Sequence, residues 1–427
     1  MSIRTLAARY VFPVTGDPIA DGAVVVDQGR IVAVGRGLRR GPFQHLGNVA
    51  LLPGLVNAHT HLELSGFAQP LGAQRRGLAP FSASSAVTCS PAERPKKGPV
   101  PFAPRSQAEH LQLADWIRGL MAARRASDSD PVAAVRQGLD ESARHNVTAL
   151  GEIAQPGWSA EPFSAGPIDA TVFLELIAPT TARRGPALEL ARQHVEAWRP
   201  GCGWRAGLSP HAPYTVRREV FDAVVAFAAR QHIPLAFHLA ESREELEFLR
   251  SATGPLRTLL EDLGAWEPGG VEPGSRPLDY LRVLATAERS LVIHGNFLDA
   301  EEIAFLGQHA PRMAAVYCPR THAWFGHAEY PLAQMLAAGV LVALGTDSRA
   351  SSPDLNPLEE MRAVAIRHPA VPPDTIVRMG TIHGALALGV DTDLGALEPG
   401  KQARLAIVPL AERTADPYEL LLGRTRG

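Results

Sequence analysis

Cysteine and lysine are the scarce residues of this 427-residue chain, with three of each. Cys89, Cys202 and Cys318 are odd in number, far apart and form no CxxC pair, which excludes a disulfide scaffold and fits a reducing cytoplasm. An excess of either charge is also missing. The formal net charge is −2, so there is no electrostatic footprint for nucleic acid or for an anionic membrane surface. No apolar run approaches the length of a bilayer span. The opening MSIRTLAARYVFPVTGDP lacks the apolar core and small-residue cleavage site of a signal peptide. The expectation is a cytoplasmic protein that acts on a small molecule, with no nucleic-acid or membrane partner. Composition leaves a homo-oligomer open.

What is present is a repeated strand–helix texture between two β-rich ends. DGAVVVDQGRIVAVG (21–35) and LGALEPGKQARLAIVPL (394–410) alternate short β-branched runs with polar turns, as a small antiparallel sheet does. Between them lie eight strand-like runs: ALLPGLVNA, VTALGEI, ATVFLELI, WRAGL, PLAFHL, SLVIH, MAAVYC and LVALG. Helix starts are marked by Ser106-x-x-Glu109, Ser242-x-x-Glu245, Asp299-x-x-Glu302 and Asn356-Pro357-x-Glu359. VRREVFDAVVAFAARQH sets Val220, Phe221, Val224, Val225 and Ala228 on one helical face. The pattern predicts a (β/α)8 TIM barrel over 51–390 and a small β-sandwich built from 1–50 and 391–427. Two segments, 70–105 and 251–286, read as insertions. The first is rich in Pro, Ser, Ala and Arg without periodicity and reads as a loop, with a lid as the alternative.

The stretch LLPGLVNAHTHLELS (51–65) ends an apolar run in two histidines one residue apart. Side chains at i and i+2 of a strand share a face, so His59 and His61 can reach one point. A lone HxH is more often two polar residues at a strand end than a metal clamp. Other strand ends shift that balance: His211 lies just beyond the fourth, His238 near the end of the fifth with Glu241 three residues on. His294 ends the sixth strand and Asp347 the eighth. In a barrel of this kind, chemistry sits where strands run into their following loops. The three lysines, Lys96, Lys97 and Lys401, fall on none of the strands from the second to the eighth, which disfavours a two-metal centre bridged by a modified lysine. A single-ion set remains: His59, His61, His238 and Asp347. Three imidazoles and a carboxylate suit Zn²⁺, with Fe²⁺ as the competitor.

These motifs, from PGLVNAHTH through HLAES, VIHG and GTDS to LGALEPGK, together resemble the amidohydrolase superfamily. The resemblance is to its mononuclear branch of guanine, S-adenosylhomocysteine, cytosine-type and triazine deaminases. Arg404 departs from the family pattern, where relatives usually carry Asp. The resemblance implies one divalent ion that activates water for attack on a carbon bearing an exocyclic amine. Asp347 and His294 would then accept or steer the water proton, Glu241 would protonate a ring nitrogen and later the leaving amine, and His211 would contact substrate. VYCPRTHAWFGHAEYPL (316–332) resembles the corresponding segment of aminodeoxyfutalosine deaminases of the alternative menaquinone pathway. It points to 6-amino-6-deoxyfutalosine as substrate and futalosine plus ammonia as products. Guanine, adenosine or S-adenosylhomocysteine deamination, or amide or chloride hydrolysis at the same site, are the alternatives. Arg320 is the candidate partner for the substrate's benzoate-type carboxylate, against a structural arginine pairing with a neighbouring loop. His322 and His327 stand open between ligand contacts and ordinary loop histidines.

Overall fold

The computed structural model of the chain describes residues 3–72, 111–127, 130–164, 166–411 and 416–423. Both sheets foreseen from the sequence pattern are there. The first is made by the chain ends. It contains β1 (Arg4–Val11), β2 (Ile19–Asp27), β3 (Arg30–Arg36), β4 (Phe43–His45) and β5 (Val49–Pro53), with β14 (Leu405–Pro409) joining from the far end. Its order is β14-β5-β1-β2-β3, and β4 lies beside β1. The β2–β3 hairpin closes at Gln28 and Gly29, both at positive φ, the two-residue turn whose twist matches the strands.

The second sheet is the barrel. It comprises β6 (Leu55–Thr60), β7 (Val147–Ala154), β8 (Asp169–Leu176), β9 (Trp204–Pro210), β10 (Leu235–Leu239), β11 (Ser290–His294), β12 (Met313–Tyr317) and β13 (Leu341–Leu344). All neighbouring pairs are parallel and follow chain order. A parallel bridge between Thr60 and Asp347 joins the last strand's end to the first. Buried on both faces, these strands read as near-continuous apolar runs.

The run ALLPGLVNA forms two strands, where the pattern predicts one. β5 pairs with β14 and β1 in the terminal sheet, the chain breaks at Gly54, and β6 starts the barrel at Leu55. A Cβ at Gly54 would fall 2.1 Å from the Thr148 side chain, so only glycine passes there. Alternation along β5 then makes it a shared wall: Leu51 packs with Leu6, Val24 and Ile31, while Ala50 and Leu52 face the barrel core. Arg404 helps fasten the two sheets by donating to the carbonyls of Thr148 (3.3 Å) and Pro167 (2.6 Å).

Local signals place the helices well. Asp299 and Glu302 form both arms of a capping box, and Asn356 caps its helix through Leu358 N. Ser242 also caps, accepting from Glu245 N at 3.2 Å. Glu245, however, passes over the cap to take the amides of Ala240 (2.8 Å) and Glu241 (2.9 Å). The Ser106–Glu109 cap and most of segment 70–105, including Cys89, Lys96 and Lys97, lie outside the described residues. Segment 251–286 is largely ordered by the helices Pro255–Asp262 and Pro277–Leu284. No helix among the described residues is long and apolar enough to cross a membrane.

Candidate active site

Five imidazoles and two carboxylates named from the sequence meet at the carboxyl ends of β6, β9, β10, β11 and β13. His59, in β6, is fully buried, and its carbonyl accepts the amides of Thr346 and Asp347, both at 3.1 Å. That double contact draws the end of β13 against β6. It requires Gly345, where a Cβ would lie 2.9 Å from the His59 Cβ. Asn57 seals the same junction, with its amide nitrogen donating to Thr346 Oγ1 (2.8 Å) and its oxygen accepting Thr346 N (3.0 Å).

Nε2 of His59 lies 3.6 Å from Asp347 Oδ1, and Nε2 of His61 lies 3.7 Å from the same oxygen. One ring nitrogen each from His59, His61 and His238 falls within 4.8 Å of the others. Ligand atoms held 2.0–2.1 Å from a tetrahedral zinc stand roughly 3.3 Å apart, so small rotations would close the set around an ion. The orientation of the donors agrees. His238 Nδ1 donates to the His211 carbonyl at 3.1 Å, which turns its Nε2 inward. Ser351 Oγ donates to Asp347 Oδ2 at 2.8 Å and leaves Oδ1 for the histidines. Neither nitrogen of buried His59 has a hydrogen-bond partner among the described residues. Such an orphaned group is costly unless something else satisfies it, and a cation would. The residues therefore fit a single divalent ion.

Charge tells the same story. Burial first, then neighbouring imidazoles, holds the His59 pKa well below the usual histidine range. Burial does the same to His61 and His294, and brings His238 and His211 down to about 4. These rings are neutral at physiological pH, the form that offers a lone pair. Glu241 behaves oppositely: burial, with Asp347 adding to it, pushes its carboxyl well above the usual range. Its Oε1 stands 3.5 Å from His294 Nε2, while Glu245 grips its amide and Asn296 donates to its carbonyl at 2.9 Å. His294 and Asp347 both adopt left-handed backbone, at φ 68° and 54°. Non-glycine residues held there cost about 1–2 kcal/mol each; the barrel-closing contacts hold Asp347, and Tyr330 Oη donates to the His294 carbonyl at 3.0 Å.

His211 sits at the rim, half-buried, with Nδ1 2.6 Å from Thr215 Oγ1 and Nε2 3.7 Å from Glu175 Oε1. Glu175 and Glu152 are buried carboxylates at the ends of β8 and β7 that sequence reasoning passed over. Both oxygens of Glu152 accept Leu62 N at 3.0 Å. A lone acid near the end of an otherwise apolar strand, as in VTALGEI and ATVFLELI, was the signal available.

Arg320 is engaged within the protein. Its guanidinium, 15% exposed, pairs with Glu360 (2.5 Å) and Asp354 (2.6 Å), and its own amide donates to Glu360 at 3.0 Å. Two carboxylates already match its charge, the arrangement that the structural-arginine alternative expects. His322 is buried beside Tyr317 and Tyr330. His327 stacks on Phe325 and meets Phe297 edge-on, its ring 5.3 Å from that of Phe297.

A closed parallel barrel whose strand ends gather neutral imidazoles and an aspartate about one point belongs to the metal-dependent hydrolase class. Residues 50–423 match the amidohydrolase family, and the chain belongs to that family. It is a hydrolase of carbon–nitrogen bonds other than peptide bonds. An aminodeoxyfutalosine deaminase of Deinococcus radiodurans is 29% identical over 410 residues, covering 90% of this chain and 86% of the relative. A 5-methylthioadenosine/S-adenosylhomocysteine deaminase of Halobacterium salinarum is 28% identical, covering 91% and 80%. Among solved structures, the Helicobacter pylori aminofutalosine deaminase in complex with methylthio-coformycin superposes with a TM-score of 0.77. It covers 99% of this chain and 95% of its own at 20% identity, a likeness of fold. A zinc-bound adenosine deaminase from Xanthomonas campestris gives a TM-score of 0.71 at 25% identity, covering 98% and 88%.

Proposed function

We propose that the chain is a single-metal hydrolytic deaminase of an aminated purine nucleoside, with 6-amino-6-deoxyfutalosine as substrate and futalosine and ammonia as products. The observation that carries this reading is the pairing of two sets of groups. Three neutral imidazoles and Asp347 converge on one point, and beside them stands Glu241, a buried carboxyl held in its protonated form next to His294. The names of the Deinococcus and Halobacterium relatives point to deamination, and the zinc of the Xanthomonas protein favours Zn²⁺ over Fe²⁺.

His59, His61, His238 and Asp347 would hold the ion. When bound, a divalent cation there brings the pKa of an attacking water down towards neutrality. The chain's own groups do the rest. His294 and Asp347 orient the water and accept its proton. Glu241 gives a proton to the ring nitrogen beside the amine-bearing carbon, so that carbon accepts the water oxygen. The proton taken from the water, handed through His294 to Glu241 and on to the amine, lets the carbon–nitrogen bond break and ammonia leave, and the hydroxyl proton lost as the carbonyl forms restores Glu241. His211, at the rim, contacts the purine ring. Burial keeps bulk water from the proton transfers.

The test is ammonia release from a panel of 6-aminopurine nucleosides and guanine by purified, metal-loaded protein, with a chelated sample as control. Preference for 6-amino-6-deoxyfutalosine supports the full reading. Preference for adenosine, guanine or S-adenosylhomocysteine removes the substrate and leaves the deaminase.

A further inference from the structure

The reading above, on which this inference rests, requires a cation for the carboxylate on the nucleoside's tail, and Arg320 is taken. The helix Leu113–Ala126 follows β6 in the chain and brings Arg124, in its last turn, to the catalytic end of the barrel. Nη2 of Arg124 pairs with Glu63, on the short turn Leu62–Leu64 that directly follows His61. The other guanidinium nitrogens engage nothing among the described residues. Arg124 is 39% exposed against 15% for Glu63, so the cation, and not its partner, is open to solvent. The charge of Arg124 is felt at His61, Glu175 and His211.

Substrate chemistry chooses the flank. In a 6-aminopurine nucleoside the protonated ring nitrogen adjoins the attacked carbon, and the sugar leaves from the far side of the fused ring. With Glu241, just beyond β10, at that nitrogen, the tail points away from it. Across the barrel from β10 lies β6, followed by His61 and, through its helix, Arg124; Glu175 on β8 and His211 after β9 stand between. Two other cations near the mouth are engaged or misplaced. Arg349 is held by Glu141 (2.9 Å) and the Ala68 carbonyl (3.1 Å), and Arg243 lies over Phe297 on the Glu241 side.

We propose that Arg124 is the specificity-determining cation of this enzyme, receiving the carboxylate of the substrate's tail in place of Glu63. The ion pair with Glu63 holds the guanidinium ready, and the nitrogens that Glu63 leaves free give the incoming carboxylate its first contact before it displaces Glu63. Exchange of one carboxylate for another keeps the charge of Arg124 matched at every stage.

The experiment compares kcat/KM of metal-loaded enzyme for a 6-aminopurine nucleoside with a benzoate-type tail and for its methyl ester, with metal content checked in each variant. Wild type should favour the acid by roughly 10- to 100-fold, the range of a charge-assisted pair. Arg124→Met should erase that preference through KM, with Arg124→Lys keeping part of it and Arg124→Glu turning it towards the ester. The proposal is overturned if Arg124→Met keeps the wild-type preference, or if wild type does not distinguish acid from ester. Failure of wild-type holoenzyme to release ammonia from either compound overturns the deaminase reading and this proposal together. Ammonia release with the preference kept in Arg124→Met overturns this proposal alone.

Discussion

Arg320→Met separates a structural arginine from a ligand-binding one. Methionine keeps much of the side-chain volume and removes the cation. Glu360 is fully buried, so the variant would leave its carboxyl facing the main-chain amide of residue 320 without a counter-charge. Removing one partner of a buried pair typically costs about 3–5 kcal/mol. Burial already pushes the Glu360 pKa up to about 7, so proton uptake relieves part of that cost, leaving about 2–4 kcal/mol at neutral pH. In a chain of this size that corresponds to a Tm lowered by roughly 2–5 °C. The assay is thermal unfolding of the metal-loaded protein at pH 6 and pH 8. The deficit should be larger at pH 8, where protonating the buried Glu360 carboxyl costs more. Adding Glu360→Gln should recover much of it. An unchanged Tm together with a selective rise in KM for a carboxylated substrate would refute the argument and return Arg320 to the ligand.

Elemental analysis should find one divalent ion per active chain, lost or inactive in His61→Ala and Asp347→Ala; two tightly bound ions would contradict the donor geometry. Glu241→Gln should keep the ion and lose about 10²–10⁴ in kcat, the usual size of a general acid–base contribution; turnover near wild type would move the proton shuttle elsewhere. His194 gives a pH prediction remote from the site. Burial between Trp158 and Trp204 lowers its pKa to about 4, and its Nε2 lies 3.0 Å from the Val172 carbonyl. A folded-state pKa below the unfolded 6.5 gives stability that is present above pH 6.5 and lost as pH falls through about 4. His194→Gln should therefore lose about 1.5 kcal/mol less than wild type between pH 6.5 and 5, read by denaturant unfolding; equal losses would show that His194 does not titrate with unfolding.

Short-range patterns in the sequence determined much of this protein. Apolar runs of strand length, the 3.6-residue stripe of Val220 to Ala228, and caps such as Asp299–Glu302 depend on neighbours a few residues apart, so they are legible without a fold. The same holds for histidines at the ends of buried strands, because barrel topology sends every strand end to one rim. Where partners lie far apart in the chain, only the tertiary structure could decide. Leu51 and Leu55 look alike in sequence, yet β14 claims one for the terminal sheet because the chain must break at Gly54 beside Thr148. Glu175 became part of the rim only when β9 brought His211 to 3.7 Å. Arg320 and Arg124 carry the same guanidinium. Glu360 and Asp354, some 40 and 34 positions from Arg320, close around one, while Glu63, 61 positions from Arg124, leaves the other half in solvent. Charge type is written in the residue, but availability is set by what packing places against it.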